Sequence, residues 1–203
     1  MNFYNDNKFF VVKNFFETKE LSDETEKIVN LAIRKKWKFI KVFYNIFIFK
    51  SINIFAVNYP FNIFFNSKLL FLLKKSNLKK KILEITQWQD IKTIAAEVQY
   101  NQKYNYQSTW HRDSNFPSDE VTVIIYLKDA KGFRIIPSNM NTKLKLYGID
   151  INQKKYLKIN GFLNFPESYF EIINAKKGDF VILESGLLHQ GYSKDSRNQI
   201  LLR

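Results

Sequence analysis

The chain has 203 residues, 45% of them apolar, and carries 32 Lys and Arg against 19 Asp and Glu, a formal charge of +13 at neutral pH. That length suits one domain with a full core, and the apolar share excludes a disordered or fibrous chain. There is no cysteine, which excludes disulfides, zinc–thiolate sites and a thiol nucleophile and leaves histidine and carboxylate as metal ligands.

The opening MNFYNDNKFFVVKNFF has no basic segment followed by an apolar run and a small-residue cleavage site, so no signal peptide is expected and a cytoplasmic location is the default. Residues 9–12, FFVV, read as a short β-prone run. Asp23 stands three residues before Glu26, a capping-box spacing. It opens the stripe Val29, Ile33, Trp37, Ile40, Tyr44 and Phe47, which predicts an amphipathic helix with Arg34, Lys35, Lys38 and Lys41 on its wet side.

The charge is concentrated in that region. Between Lys27 and Lys81 there are 13 Lys or Arg and no acid, together with 12 aromatic residues, so the surplus of the whole chain lies in one stretch. Two readings stand side by side: a basic, aromatic-rich face for an anionic partner, or lysines that solvate a surface in a chain with 27 Lys and 5 Arg. Residues 39–73 are apolar enough to raise a membrane span, but Lys50, Asn53, Asn58, Pro60, Asn62 and Asn66 interrupt every window of about 18 residues, and no span is expected. Pro60 breaks or starts an element, and SKLLFLLKKSNLKKKILEI within 67–92 has helical periodicity.

All six glycines lie after residue 131, and from about residue 93 the texture changes to short runs: TIAAEVQY, VTVIIYL, FRIIP, LKLYGI, FEIINA, DFVIL and QILL. Such runs, with turn residues and no long helix between them, predict an antiparallel sandwich or barrel. The expected organisation is one α+β, mainly β domain over 1–203, a helix-rich basic part at about 1–92 packed on a β core at about 93–203.

Two histidines exist, His111 and His189. In His111-Arg112-Asp113 the first and third side chains of an extended segment point the same way, so both can reach one ion. His189, just after the strand-like DFVIL, supplies a second imidazole. Two imidazoles and a carboxylate are the facial triad of non-haem Fe(II) oxygenases, which leaves coordination positions open for co-substrate and oxygen. Arg197 follows His189 by eight residues and Arg203 by six more. An arginine on the strand after the distal histidine can hold a dicarboxylate such as 2-oxoglutarate through its planar fork.

Taken in order, KFFVVKNFF with its helix, TWHRD, VTVIIYLKDAKGFRIIPSN and KKGDFVILESGLLHQGYSKDSRNQILLR resemble the phytanoyl-CoA dioxygenase-like branch of the Fe(II)/2-oxoglutarate-dependent oxygenases, nearly end to end. The resemblance implies a double-stranded β-helix (a jelly-roll, cupin-like core) with N-terminal supporting helices. It also implies iron(II) on His111, Asp113 and His189, and 2-oxoglutarate on Arg197 with Arg203 as a second anchor. The activity it implies is hydroxylation of a small-molecule or carrier-linked substrate, with O2 consumed and succinate and carbon dioxide released. Gln107 and Tyr126 would lie near the co-substrate and Trp110 near the substrate. The sequence departs from the family at Ser138-Asn139, where a Gly-Ser-His turn is common, and residues 38–83 match no family segment. The two arginines of RNQILLR, six apart, also resemble the AlkB-type nucleic-acid demethylases, whose phosphate-bearing substrates would suit the basic stretch. A β-barrel binding module without turnover is the third reading.

Overall fold

Strands β6 (Val121–Tyr126) and β9 (Phe180–Glu184) are buried at every residue, a pattern that arises when both faces of a sheet are covered. The computed structural model describes residues 3–34, 47–49, 54–57, 67–92, 96–101, 106–107, 110–144, 165–193 and 198–203. Beside these two interior strands lie β1 (Phe9–Val12), β2 (Phe47–Phe49), β3 (Ile54–Val57), β4 (Ala96–Asn101) and β11 (Asn198–Leu202), in a seven-stranded sheet of order β1-β9-β6-β11-β4-β3-β2. A second sheet of order β5-β10-β7-β8 is formed by β5 (Tyr106–Gln107), β7 (Ala130–Ile135), β8 (Glu171–Ala175) and β10 (His189–Ser193). Every described pairing is antiparallel.

Side chains alternate along the central strands and build two cores. Ile124, Tyr126, Val181, Leu183 and Leu201 face the small sheet and meet Phe133, Ile135 and Ile173. Val121, Val123, Ile125, Phe180, Ile182, Ile200 and Leu202 face the other way, beneath α2 (Thr18–Arg34), α3 (Ser67–Lys75) and α4 (Leu78–Thr86). Those helices contribute Leu21, Ile28, Leu69, Leu73, Leu78, Ile82 and Ile85. Each buried aliphatic side chain stabilises the packing by roughly 1.5–3 kcal/mol.

Helices therefore support one face of a β core, as the texture of the chain predicts. Two boundaries differ. The helix expected to open at Asp23 begins at Thr18, so Asp23 lies exposed inside it; Leu21 and Ile28, seven apart, already set the buried stripe. The stripe drawn to Phe47 also fails at its far end, because Phe47 starts β2, which pairs with β3 and extends the large sheet. Helical spacing there was mimicked by a mixed aromatic and β-branched run, which tertiary pairing turned into strand. Residues 35–46 lie outside the described residues, as does the LKLYGI strand beyond Leu144. Leu144 itself ends a short helical turn, Asn141–Leu144. Among the described residues no helix is long and apolar enough to cross a membrane.

The segment after β1 is fastened to the turn before β9. Asp179, 2% exposed, accepts the Asn14 and Lys176 amides at 2.8 Å each and the Lys13 ammonium at 2.9 Å. The Gly178 carbonyl accepts the Phe15 and Phe16 amides. Gly178 has φ +92°, and a Cβ there would stand 2.7 Å from the Phe16 carbonyl oxygen, so glycine is required. Burial pushes the Asp179 carboxyl up, but the two amides and Lys13 outweigh it and hold its pKa below the ordinary value. Its stabilising contribution is therefore complete above the unfolded-state value of about 4 and lost as the pH falls through the lowered one. Asp179→Asn is expected to cost about 1–3 kcal/mol in urea unfolding at pH 7, and to remove part of the wild type's loss of stability below pH 4.

Candidate metal centre

His111 and His189 exchange both backbone hydrogen bonds, each N–H donating to the other's carbonyl at 3.0 Å. Residues paired in this way sit directly opposite one another with side chains on the same face, and the two imidazole centroids are 4.3 Å apart. Extended geometry then turns Arg112 away. It is 1% exposed, with its guanidinium 6.0 Å from the Phe116 ring centre. Asp113 returns to the histidine face, where its amide and that of Ser114 donate to the Ser185 carbonyl at 2.9 and 3.0 Å.

The Asp113 carboxylate lies between the rings. Oδ1 is 3.7 Å from His111 Nε2 and Oδ2 is 3.8 Å from His189 Nε2. Oδ2 also accepts from Thr122 Oγ1 at 3.1 Å, and Arg203 Nη2 stands 3.4 Å from Oδ1. Burial alone would raise the Asp113 pKa. His189, Arg203 and His111 and the Thr122 hydroxyl oppose it, and the net direction is downward, so the carboxylate is ionised at neutral pH.

His189 is 4% exposed, and its Nδ1 lies 3.0 Å from the Leu187 carbonyl oxygen. A carbonyl only accepts, so Nδ1 carries the proton and Nε2 presents its lone pair toward Asp113. Burial, with His111 beside it, brings the His189 pKa down to about 4, which keeps the ring neutral as a metal ligand must be.

One ligand atom from each of His111, Asp113 and His189 can be chosen so that all three lie within 4.8 Å of one another. Nitrogen and oxygen ligands at about 2.0–2.2 Å from a common ion stand no more than about 4.4 Å apart; His111 Nε2 and His189 Nε2 lie 3.7 and 3.8 Å from the two different oxygens of the one Asp113 carboxylate. The donor set, two imidazoles and a carboxylate, suits a borderline divalent transition ion. His111, whose side chain is 24% exposed against 5% for His189, marks the open side.

The other expected site residues fall in different places. Arg203 follows β11 directly, on the face of Gln199 and Leu201, and reaches the site; its Nε–H is buried with no acceptor among the described residues. Tyr126 lies in the inter-sheet core on the same face of β6 as Thr122. Trp110 packs edge-on against Phe165 at 5.1 Å and beside Phe170, in a separate cluster with Ile136, Leu144 and Leu188, and is 2% exposed. Gln107 pairs through its backbone with Tyr192. Arg197 lies outside the described residues. Ser138 and Asn139 tie to α1 (Phe3–Asn7), through Ser138 Oγ to the Asp6 carbonyl and Asn139 Nδ2 to Asn7 Oδ1. Sequence reasoning missed Thr122, Ser185 and the Leu187 carbonyl. A signal for the first was present: Thr122 is the one hydroxyl in the apolar run VTVIIYL apart from Tyr126.

No family model matches the sequence, and no curated protein matches it. Solved structures do. SnoK, a non-haem α-ketoglutarate-dependent carbocyclase of nogalamycin biosynthesis, matches with TM-score 0.65 at 11% identity, over 98% of this chain and 80% of SnoK. The chain shares its fold. EctD from S. alaskensis with 2-oxoglutarate and 5-hydroxyectoine matches with TM-score 0.61 at 11% identity, over 98% and 72% of the two chains. HygX from Streptomyces hygroscopicus with iron bound matches with TM-score 0.57 at 11% identity, over 98% and 82%.

The lowered His189 pKa fixes a pH window for the metal-free chain. A base whose folded pKa lies below its unfolded value of about 6.5 contributes stability in full above that value and loses it as the pH falls toward the folded one. The contribution of His189 to the stability of the metal-free protein should therefore be level above pH 7 and fall between about pH 6.5 and 4. Denaturant unfolding across that window should show a flatter profile for His189→Gln.

Proposed function

We propose that the protein is an Fe(II)- and 2-oxoglutarate-dependent dioxygenase that hydroxylates a small-molecule or carrier-linked substrate, in the manner of the phytanoyl-CoA dioxygenase-like branch. The observation that carries this reading is the convergence of His111, Asp113 and His189, one ligand atom of each within 4.8 Å of the others. The sheet order supports a double-stranded β-helix: β4 and β5, β6 and β7, then β8 and β9, β10 and β11 each divide between the large and the small sheet. The neighbours add support at the level of fold, since HygX is seen with iron and EctD with 2-oxoglutarate.

In this reading His111 Nε2, an Asp113 oxygen and His189 Nε2 hold the ion. Iron(II), when bound, supplies the redox chemistry that couples oxygen to the decarboxylation of 2-oxoglutarate and the oxidation of a substrate carbon. The chain's own part is orientation and the exclusion of water. The Leu187 carbonyl keeps the His189 proton on Nδ1, and Thr122 and Arg203 fix the Asp113 carboxylate. The buried Arg203 Nε–H supports an anionic oxygen beside the centre, while Arg197, six residues earlier in the sequence, is the proposed anchor for the far carboxylate. A carboxylate at position 113 occupies the place that a small residue leaves open to chloride in the related halogenases, and hydroxylation is the outcome that fits it.

Two measurements check this. With iron(II), oxygen and 2-oxoglutarate, the wild-type chain is expected to release succinate and His111→Ala to release none above background; equal release from both overturns the reading. Calorimetry of 2-oxoglutarate onto the Mn(II)-loaded protein should show Arg197→Gln weakened by about 10- to 100-fold, the loss of a charge-assisted pair of about 1.5–3 kcal/mol.

A further inference from the structure

Two buried hydroxyls stand beside Asp113. Thr122 Oγ1 lies 3.1 Å from Asp113 Oδ2 and 2.9 Å from Ser185 Oγ, and both residues are 0% exposed. The ionised carboxylate only accepts, so the single Thr122 proton is committed to it, and the Ser185 hydroxyl must donate to the Thr122 oxygen. The chain of donors has one polarity, Ser185 to Thr122 to Asp113.

Ser185 holds Asp113 a second time. Its carbonyl accepts the Asp113 and Ser114 amides, so the backbone of the ligand and, through Thr122, its carboxylate are set from one residue just past β9. The next residue, Gly186, leaves room for this approach. A Cβ there would stand 2.4 Å from the Asn115 carbonyl oxygen and 2.8 Å from Phe116 Cα, both backbone atoms. One residue further, the Leu187 carbonyl orients His189. Residues 185–187 thus contact both ligand-bearing segments.

We propose that Thr122, backed by Ser185, is a positioning residue of the metal centre, fixing the rotation of the Asp113 carboxylate and thereby setting metal affinity. This deepens the metal-centre reading and rests on it. A carboxylate about to ligate gains when its rotation is already restricted, and partners of this kind change metal affinity by about 10- to 100-fold. Valine has the shape of threonine without the hydroxyl, and serine has the hydroxyl without the methyl, so the two substitutions separate hydrogen bonding from packing.

The test is cobalt(II) titration of the full, metal-free chain by calorimetry and by the visible spectrum of the bound ion, with melting of each metal-free variant alongside. Thr122→Val is expected to bind cobalt about 10- to 100-fold more weakly, with Thr122→Ser close to the wild type. Ser185→Ala should weaken binding less, and the double variant should be no weaker than Thr122→Val, because the serine hydroxyl acts through the threonine. Cobalt affinity and spectrum unchanged in Thr122→Val overturn the proposal, as do losses that add in the double variant. If Thr122→Val does not fold, Ser185→Ala decides, and unchanged affinity there overturns it. Absence of cobalt binding by the wild-type chain instead overturns the metal centre itself, an outcome read before any variant is compared.

Discussion

The reciprocal backbone pair between His111 and His189 is the constraint on which the site depends. The two residues are seventy-eight positions apart, and closing so long a loop costs entropy that a two-bond contact would not offset alone. The intervening chain offsets it by folding into strands β6 to β9 and burying apolar residues on both faces of the large sheet. With the pair in place, three consequences follow from extended-chain geometry: the rings share a face, Arg112 turns into the packing, and Asp113 returns to the rings.

Burial gives this end of the sandwich its chemical character. The central strands are apolar along most of their length, and the polar side chains they carry near the site all find partners. Thr122 and Ser185 bond each other and Asp113, and Glu184 accepts the Ser118 amide at 2.7 Å. A buried hydroxyl without a partner would cost about 1–3 kcal/mol. The network is therefore a condition for placing ionisable groups in a dry place at all, and it stiffens them as a by-product.

Much of this was legible in the chain. The β core after residue 93 followed from FVIL, VTVIIY and their turns, and His111-x-Asp113 needed only strand alternation. His189, the distal ligand of the proposed centre, stood out because a single other histidine exists. What failed had a common cause. Phe47 and Ile54 to Val57 join a sheet whose other strands are β-branched runs far along the chain, and local periodicity carries no record of a pairing partner. Thr122 and Ser185 were overlooked because a hydroxyl gains its meaning from what stands across the strand. Arg203, expected as a second anchor after Arg197, reaches the Asp113 carboxylate because β11, antiparallel to β6, ends beside the part of β6 that carries Thr122.

Arg203 also bears on which co-substrate suits the site. Asp113 carries one negative charge and Arg203, 3.4 Å away, one positive charge, so the described groups balance within a mostly buried site. The proposed iron(II) adds two positive charges to surroundings that solvate ions poorly, where uncompensated charge costs several kcal/mol. A neutral co-substrate leaves that excess standing and a monoanion leaves half of it. A dicarboxylate restores balance, and the buried Arg203 Nε–H that lacks an acceptor among the described residues gives one of its oxygens a donor. In the proposed reading, the charge of the loaded site therefore favours a doubly charged co-substrate over a neutral one.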